Sequence, residues 1–316
     1  MSVQTIQQPQ PFGSVDGVES AGTGGATGSG TGRVARARRP RTVGRLRRLL
    51  THVILLVFGF AWVYPLLWAV AGSTRSNSEF LSGGAGLSFG DQALANFSAA
   101  WNDANFSQYF LNTLTITAVT VVAVVLISAA AGYTLARTTF PGRRIVLVVI
   151  AVTFFLPSGY TMIPVYDLIT RLGLLNSLFS VIIVQVGTGL IFSTFLFMGF
   201  FRTVPLELEE AAKIDGAGYN QTFFRVILPL AKPMIATIGL FTFISSWNDF
   251  LLPLIFTLGQ PDLRTIPVGL YAFIGQSSTN WTGLAAASII SLIPIVIVFV
   301  VAQKYIISAI AGAVKG

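Results

Sequence analysis

Apolar residues run along this chain in long stretches, not in the one-faced patterns of a water-soluble core. Six stretches approach or exceed the roughly 20 residues that a helix needs to cross the hydrocarbon core of a bilayer. They are Val53–Gly72, Tyr109–Ala136, Ile145–Tyr166, Leu178–Phe201, Met234–Leu258 and Leu284–Ala302. The pattern predicts an all-α integral membrane protein with six transmembrane helices. Only the fifth run contains a charge, Asp249. Pro65, Pro157, Pro164, Pro253 and Pro294 lie in or near the runs. They predict kinks whose freed carbonyls are satisfied by neighbouring helices. The many Gly, Ala, Ser and Thr within the runs predict close helix–helix approach.

The flanks are polar. From Met1 to about Gly32 the chain is rich in Gly, Ser, Thr and Gln, and eight arginines follow between Arg33 and Arg48. So little apolar surface cannot offset chain entropy. Residues 1–48 therefore read as a disordered cytoplasmic arm, and 49–316 as the transmembrane domain. The first apolar run starts too late and is too long for a secretory signal, and no convincing cleavage site follows it. The glycines between Gly22 and Gly32 lack the preceding strand and the following Lys-Ser or Lys-Thr of a phosphate loop.

Charge supplies the orientation. If the N-terminus is cytoplasmic and the spans alternate, Arg75, Arg171 and Arg264 alone among the 20 Lys and Arg fall outside. That asymmetry predicts six spans in the cell membrane with both termini cytoplasmic. It also explains the net charge of +8 through membrane topology and lipid contact, without nucleic acid.

Composition narrows the chemistry further. The chain is 53% hydrophobic and 10% charged, against about 25% charged in soluble domains. It has no cysteine, so disulfides, zinc–thiolate sites and Cys nucleophiles are excluded. The single histidine, His52, stands at the start of a span and reads as structural or interfacial. The loop Ser73–Gln108 carries Phe80, Phe89, Phe97, Trp101 and Phe106. It predicts an aromatic external cap, with a docking surface for an external partner as the alternative.

The longest cytoplasmic loop, residues 202–230, is the most specific segment. Pro205 suits a first helical turn, and Glu207, Glu209 and Glu210 suit its positive end. The helix should end near Ile214 at the Asp215–Gly216 break. Asn220 is the expected cap of a second helix that ends near Leu228–Pro229 and presents Phe223, Val226 and Ile227 on one face. Small residues Ala211, Ala212, Gly216 and Ala217 leave room for another surface to approach.

The run Glu210-Ala211-Ala212, Asp215-Gly216-Ala217, Phe223, Arg225, Ile227, Leu228 and Pro229 closely resembles the EAA loop of ABC importer permeases. Tyr109-Phe110-Leu111-Asn112-Thr113-Leu114, the run Ala131–Arg137, Gly173-Leu174-Leu175-Asn176-Ser177, Trp247-Asn248-Asp249-Phe250 and the closing Gly312–Gly316 are similar to the carbohydrate-uptake permeases of the maltose type, in particular the shorter of their two membrane subunits. The resemblance spans about Leu49–Gly316 and leaves out the Gly-rich arm.

The resemblance implies a type I importer permease fold. It implies a complex with a second, related permease, two ATP-binding subunits and an external solute-binding protein. The loop residues Glu210, Ala211, Ala212, Asp215, Gly216, Ala217, Phe223, Arg225, Leu228 and Pro229 would dock on an ATP-binding subunit. ATP and Mg would belong to those subunits, with no cofactor or metal on this chain and no catalytic residue. Asn112, Trp247, Asn248 and Asp249 are candidates for the translocation path or its gate. For each a packing role is the alternative, though an acid inside a span is usually functional or paired. A solute other than sugar, such as a polyamine, peptide or phosphorylated polyol, is the nearest rival reading. A stand-alone channel or secondary carrier would transport without an ATPase partner. An intramembrane enzyme would need convergent acids, a nucleophile or a metal site, whereas the spans hold one acid.

Overall fold

The computed structural model describes residues 41–84, 86–102, 105–155, 158–274 and 279–314. Most of the N-terminal arm, together with Pro157, Lys315 and Gly316, lies outside the described residues, and so does the disorder expected of residues 1–40.

The chain divides into residues 1–57 and 58–316. In the first unit, residues 41–57 are helical, as the start of α1 (Arg41–Gly72). The helix thus begins inside the segment assigned to the arm, because arginine and leucine are good helix formers. Leu55 and Leu56 are 64% and 72% exposed, a pattern suited to an apolar solvent. His52 turns its ring to the Arg48 carbonyl at 2.6 Å, a local bond within its own helix.

In the second unit, the external loop is a folded cap built on α2 (Asn77–Ser82) and α3 (Ala93–Asn102). Ser76 and Glu79 form a capping box at the start of α2. Arg75 is buried and donates to the carbonyls of Ser88 and Gly86. Asn96 donates to the carbonyls of Ser73 and Arg75. Phe80 packs between Trp68 and Trp281, and Phe106 is fully buried. Phe89, by contrast, stays exposed.

The long apolar helices α4 (Phe106–Arg137) and α7 (Leu178–Thr203) form the centre. They meet closely at Gly132, where a Cβ would come within 2.7 Å of Phe197 Cβ and 2.9 Å of the Met198 nitrogen. A core of Val124, Tyr133, Phe197, Phe201, Phe223 and Ile227 surrounds that crossing.

Two of the expected spans are interrupted. The run Ile145–Tyr166 forms α5 (Arg143–Thr153) and α6 (Ser158–Arg171), with a turn at Phe154–Phe155 between them. Pro157 follows that turn and cannot donate to a continuing helix. The run Met234–Leu258 falls in two helices, Lys232–Trp247 and Leu251–Phe256, broken at residues 248–250.

Between α7 and Lys232 lie α8 (Glu207–Ile214), α9 (Tyr219–Gln221), a π-helical turn Thr222–Ile227 and α10 (Leu228–Leu230). The segment Tyr219–Leu230 meets α11 (Lys232–Trp247) at 76°, across the non-helical Ala231. After α12 (Leu251–Phe256) come a 3₁₀ turn Pro261–Leu263, α13 (Ile266–Leu270) and a second 3₁₀ turn Tyr271–Phe273. The long α14 (Trp281–Val314) ends the described chain.

Among the described residues there is no strand, only an isolated bridge between Ile274 and Thr279. Among the described residues, four helices are long and apolar enough to cross a membrane, and a fifth is reached only if the bent pair Tyr219–Leu230 and α11 is counted as one span. The multi-pass, all-helical architecture therefore stands among the described residues, with the third and fifth runs each divided into two helices.

Candidate functional site

Residues 207–230 fold into two short helical pieces around a tight turn. The C-terminal turn of α8 is a Schellman motif: Ala217 N–H bonds the Ala212 carbonyl at 2.9 Å and Gly216 N–H bonds that of Lys213 at 3.0 Å. Gly216 has φ +83°, the left-handed conformation that glycine adopts without a Cβ penalty. The second piece starts at Gly218, whose N–H bonds Gln221 Oε1 at 3.2 Å. Asn220 therefore lies inside the first turn and is not the expected cap. The Gly-x-x-Gln pair caps the helix two residues earlier, at Gly218.

This loop is tied to the helix ends beneath it. Arg137, in the last turn of α4, pairs with Glu209 of α8 at 2.7 Å, both side chains under 10% exposed. Arg137 also donates to the Val204 carbonyl at the end of α7. Tyr133 stacks on Phe223 at 5.0 Å and lies 5.2 Å from Tyr219. Ala212, Phe223 and Ile227 face this inner side and are buried. Glu210, Ala211, Asp215, Gly216, Arg225 and Pro229 are exposed on the other, while Ala217 and Leu228 are half-buried. Ile214 is 87% exposed at the tip, and Leu206, Tyr219, Phe224 and Leu230 add to the uncovered apolar surface.

A second feature is a cleft of about 830 Å³ between α4, α6, α7, α11 and the start of α12. Asp249 lies in the break between α11 and α12. Its Oδ2 accepts from Gln185 Nε2 at 2.8 Å, and its Oδ1 accepts from the Leu252 N–H at 3.3 Å. Gln185 Oε1 in turn bonds Ser246 Oγ at 2.7 Å and accepts from Thr120 Oγ1 at 3.3 Å. Thr117 Oγ1 lies 3.2 Å from Ser246 Oγ. Three long helices thus converge on one glutamine. Among the described residues, no Lys or Arg lines the cleft, and no group of acids or histidines could hold a metal.

Residues 128–312 match the family described as "Binding-protein-dependent transport system inner membrane component". The chain belongs to this permease family. Its relatives include the diacetylchitobiose uptake system permease protein of Streptomyces coelicolor (strain ATCC BAA-471 / A3(2) / M145). The two are 33% identical, over 88% of this chain and 91% of that protein. The maltodextrin transport system permease protein of Bacillus subtilis (strain 168) is also 33% identical, over 87% of this chain and 99% of that one. Among solved structures, a chain of a bacterial ABC transporter involved in the import of the acidic polysaccharide alginate superposes with a TM-score of 0.72 at 26% identity. The match covers 83% of this chain and 97% of that chain. The protein is accordingly an integral membrane transport component with the ABC importer permease fold.

The permease separates the four residues proposed for its path. Asp249 lines the cleft. Trp247, 1% exposed, turns away from it, donates to the Ser291 carbonyl at 3.1 Å and stacks on Phe243. Asn112 donates to the Asp262 and Arg264 carbonyls at 2.7 and 2.9 Å, holding the loop before α13 against α4. Asn248 is exposed and bonds back to the Ile244 carbonyl at 2.8 Å. Sequence reasoning missed Gln185, Ser246 and Thr120. Each is an ordinary polar residue in an apolar run, and a lone glutamine inside a span was the available signal. It also missed Arg137 as the partner of Glu209, and Ile214 as the exposed tip.

Proposed function

We propose that this chain is the permease subunit of an ATP-driven carbohydrate importer. It would form the translocation pathway with a second, related permease and receive a mono- or oligosaccharide from an external solute-binding protein. In this reading the chain spans the cell membrane six times, the broken runs 143–171 and 232–256 each counting as one crossing, with both termini cytoplasmic. Two ATP-binding subunits hold ATP and Mg and perform hydrolysis, and this chain binds no cofactor of its own. The relatives named for chitobiose and maltodextrin uptake support the sugar class over a polyamine or peptide.

The observation that carries the reading is the helix–turn–helix 207–230. It offers Glu210, Ala211, Asp215, Gly216, Ala217, Arg225, Leu228 and Pro229, with Ile214 at its tip, to an ATP-binding subunit. Ala212 and Phe223 hold it from the inner side. Uncovered apolar residues around a rigid turn suit a knob seated in a partner's cleft. A knob fixed to the ends of α4 and α7 passes the partner's movement to those helices without slack.

The test is to purify the chain with its associated subunits, reconstitute them in lipid vesicles with the binding protein, and follow ATP-dependent uptake of labelled maltotriose, diacetylchitobiose, spermidine and a tripeptide. Uptake of a sugar that requires ATP and the binding protein is the expected result. Uptake without any ATPase subunit, or of spermidine or peptide in place of sugar, would overturn it.

A further inference from the structure

The cleft around Asp249 has the parts of a polyol site. An ionised carboxylate in a membrane span needs donors that offset its lost hydration. Here Gln185 donates to one oxygen and the Leu252 amide to the other, with the Leu251 amide also close. A carboxylate has about four acceptor positions, so each oxygen keeps capacity to accept another donor, and among the described residues no cation lines the cleft. Hydroxyl groups are donors of the right kind. The walls repeat the theme: Thr188 and Ser245 are exposed to the cleft, and Thr242 lines it beside them. Phe192 and Phe241, 50% and 59% exposed, also line it, and aromatic faces suit the C–H surface of a pyranose. The volume of about 830 Å³ falls within the roughly 300–1,000 Å³ of small-molecule sites.

The position adds to the chemistry. The acid sits where α11 stops and α12 begins, and helix breaks of this kind carry ligand sites in many secondary transporters. Thr120 of α4 and Ser246 of α11 fix the glutamine of α7 from two neighbouring helices, so the amide that orients Asp249 is itself held.

We propose that this cleft is a carbohydrate subsite of the translocation path, in which Asp249 accepts hydrogen bonds from sugar hydroxyls and Phe192 and Phe241 bear on the sugar's apolar face. The proposal rests on the sugar-importer reading above. Gln185 is then a positioning residue: it holds the carboxylate and leaves its outer lone pairs to the ligand.

The chain has no cysteine of its own, so Ser245→Cys places a single thiol in the cleft, and Ser82→Cys serves as an external control. In the assembled complex with its partner subunits and binding protein, a small maleimide is read on this chain with maltotriose or diacetylchitobiose as the probe. Labelling of Ser245→Cys is expected to slow by about tenfold when the sugar stands at about ten times its Kd, with no change at Ser82→Cys. Adding Asp249→Asn should abolish that protection while the subunits still co-purify. Sugar uptake with no protection at Ser245→Cys would overturn the subsite and leave the importer reading standing. A complex that transports no sugar would overturn both. A thiol unreactive with or without sugar would mean that the second permease covers the cleft, and protection surviving in Asp249→Asn would remove the carboxylate from the site. Either result refutes the proposal.

Discussion

Arg137 and Glu209 meet at 2.7 Å, each side chain under 10% exposed, and join the last turn of α4 to the first turn of α8. The contacting Nε and Oε1 atoms have no other hydrogen-bond partner, although Arg137 also donates to the Val204 carbonyl and Glu209 also hydrogen-bonds Tyr133, so among the described residues each charge is the other's one ionic partner. Removing one member of a buried pair strands a charge and costs about 3–5 kcal/mol, whereas replacing both by apolar groups can be near neutral. Glu209→Leu alone should therefore lower the unfolding temperature in detergent and weaken stimulated ATP hydrolysis. The double variant Arg137→Met with Glu209→Leu should recover most of the stability. Equal loss in the single and double variants would show that the pair is not what holds the loop.

The Gly216 turn separates strain from steric bulk. A Cβ there would meet nothing within 4 Å, yet φ is +83°. Gly216→Val should thus cost on the order of 1 kcal/mol or more through backbone strain alone, with normal membrane levels. ATPase association and substrate-stimulated phosphate release should fall in Gly216→Val, in Glu210→Lys and in Ile214→Asp, which charges the exposed tip. Wild-type association and hydrolysis in all three would refute the coupling assignment.

Asp249→Asn can keep its bond from Gln185 through the amide oxygen but loses the charge. Uptake in vesicles should drop by about tenfold or more, equivalent to about 1.4 kcal/mol, while the complex stays assembled. Asp249→Leu strands Gln185 Nε2 and should also destabilise the fold by about 1–3 kcal/mol. Unchanged uptake in Asp249→Asn would sink the path assignment.

Trp247 is expected to behave as core. It is 1% exposed and packs with Phe110 and Phe243. Truncation to alanine should cost about 3–5 kcal/mol and reduce the amount of folded permease in the membrane. Trp247→Phe should retain the transport rate per folded molecule. A specific loss of uptake in a fully stable Trp247→Phe would return this residue to the path.

Topology can be read by single cysteines. Thr139→Cys, in the exposed turn between α4 and α5, and Ser29→Cys, outside the described residues, should react with an impermeant maleimide only from the cytoplasmic side. Ser82→Cys in the cap should react only from outside. Gly142, in the same connection, is less suitable as a probe because its φ is +90°, where a cysteine would be strained. Reaction of Ser82→Cys from the cytoplasm would reverse the six-span orientation.

Long apolar runs and a one-sided distribution of arginine determined the membrane class, the helical architecture and the orientation expected for the termini. Hydrophobicity acts residue by residue, so these features need no knowledge of what packs where. The loop could be read for a similar reason: acidic residues, a break at Asp215–Gly216 and a small-residue edge are local, and the Schellman turn forms from neighbours in sequence. Only the tertiary structure decided what lies farther apart. Arg137 and Glu209 are brought together by the end of α7, and Gln185 meets Ser246 and Asp249 because α7 crosses α11. Trp247, Asn248 and Asp249 are consecutive, yet they point to a core, an exposed edge and a cleft. Helix rotation turns successive side chains about 100° apart, and the break after Trp247 redirects the last of them. A linear motif can mark such a segment, but which member faces the path follows from how the helices pack.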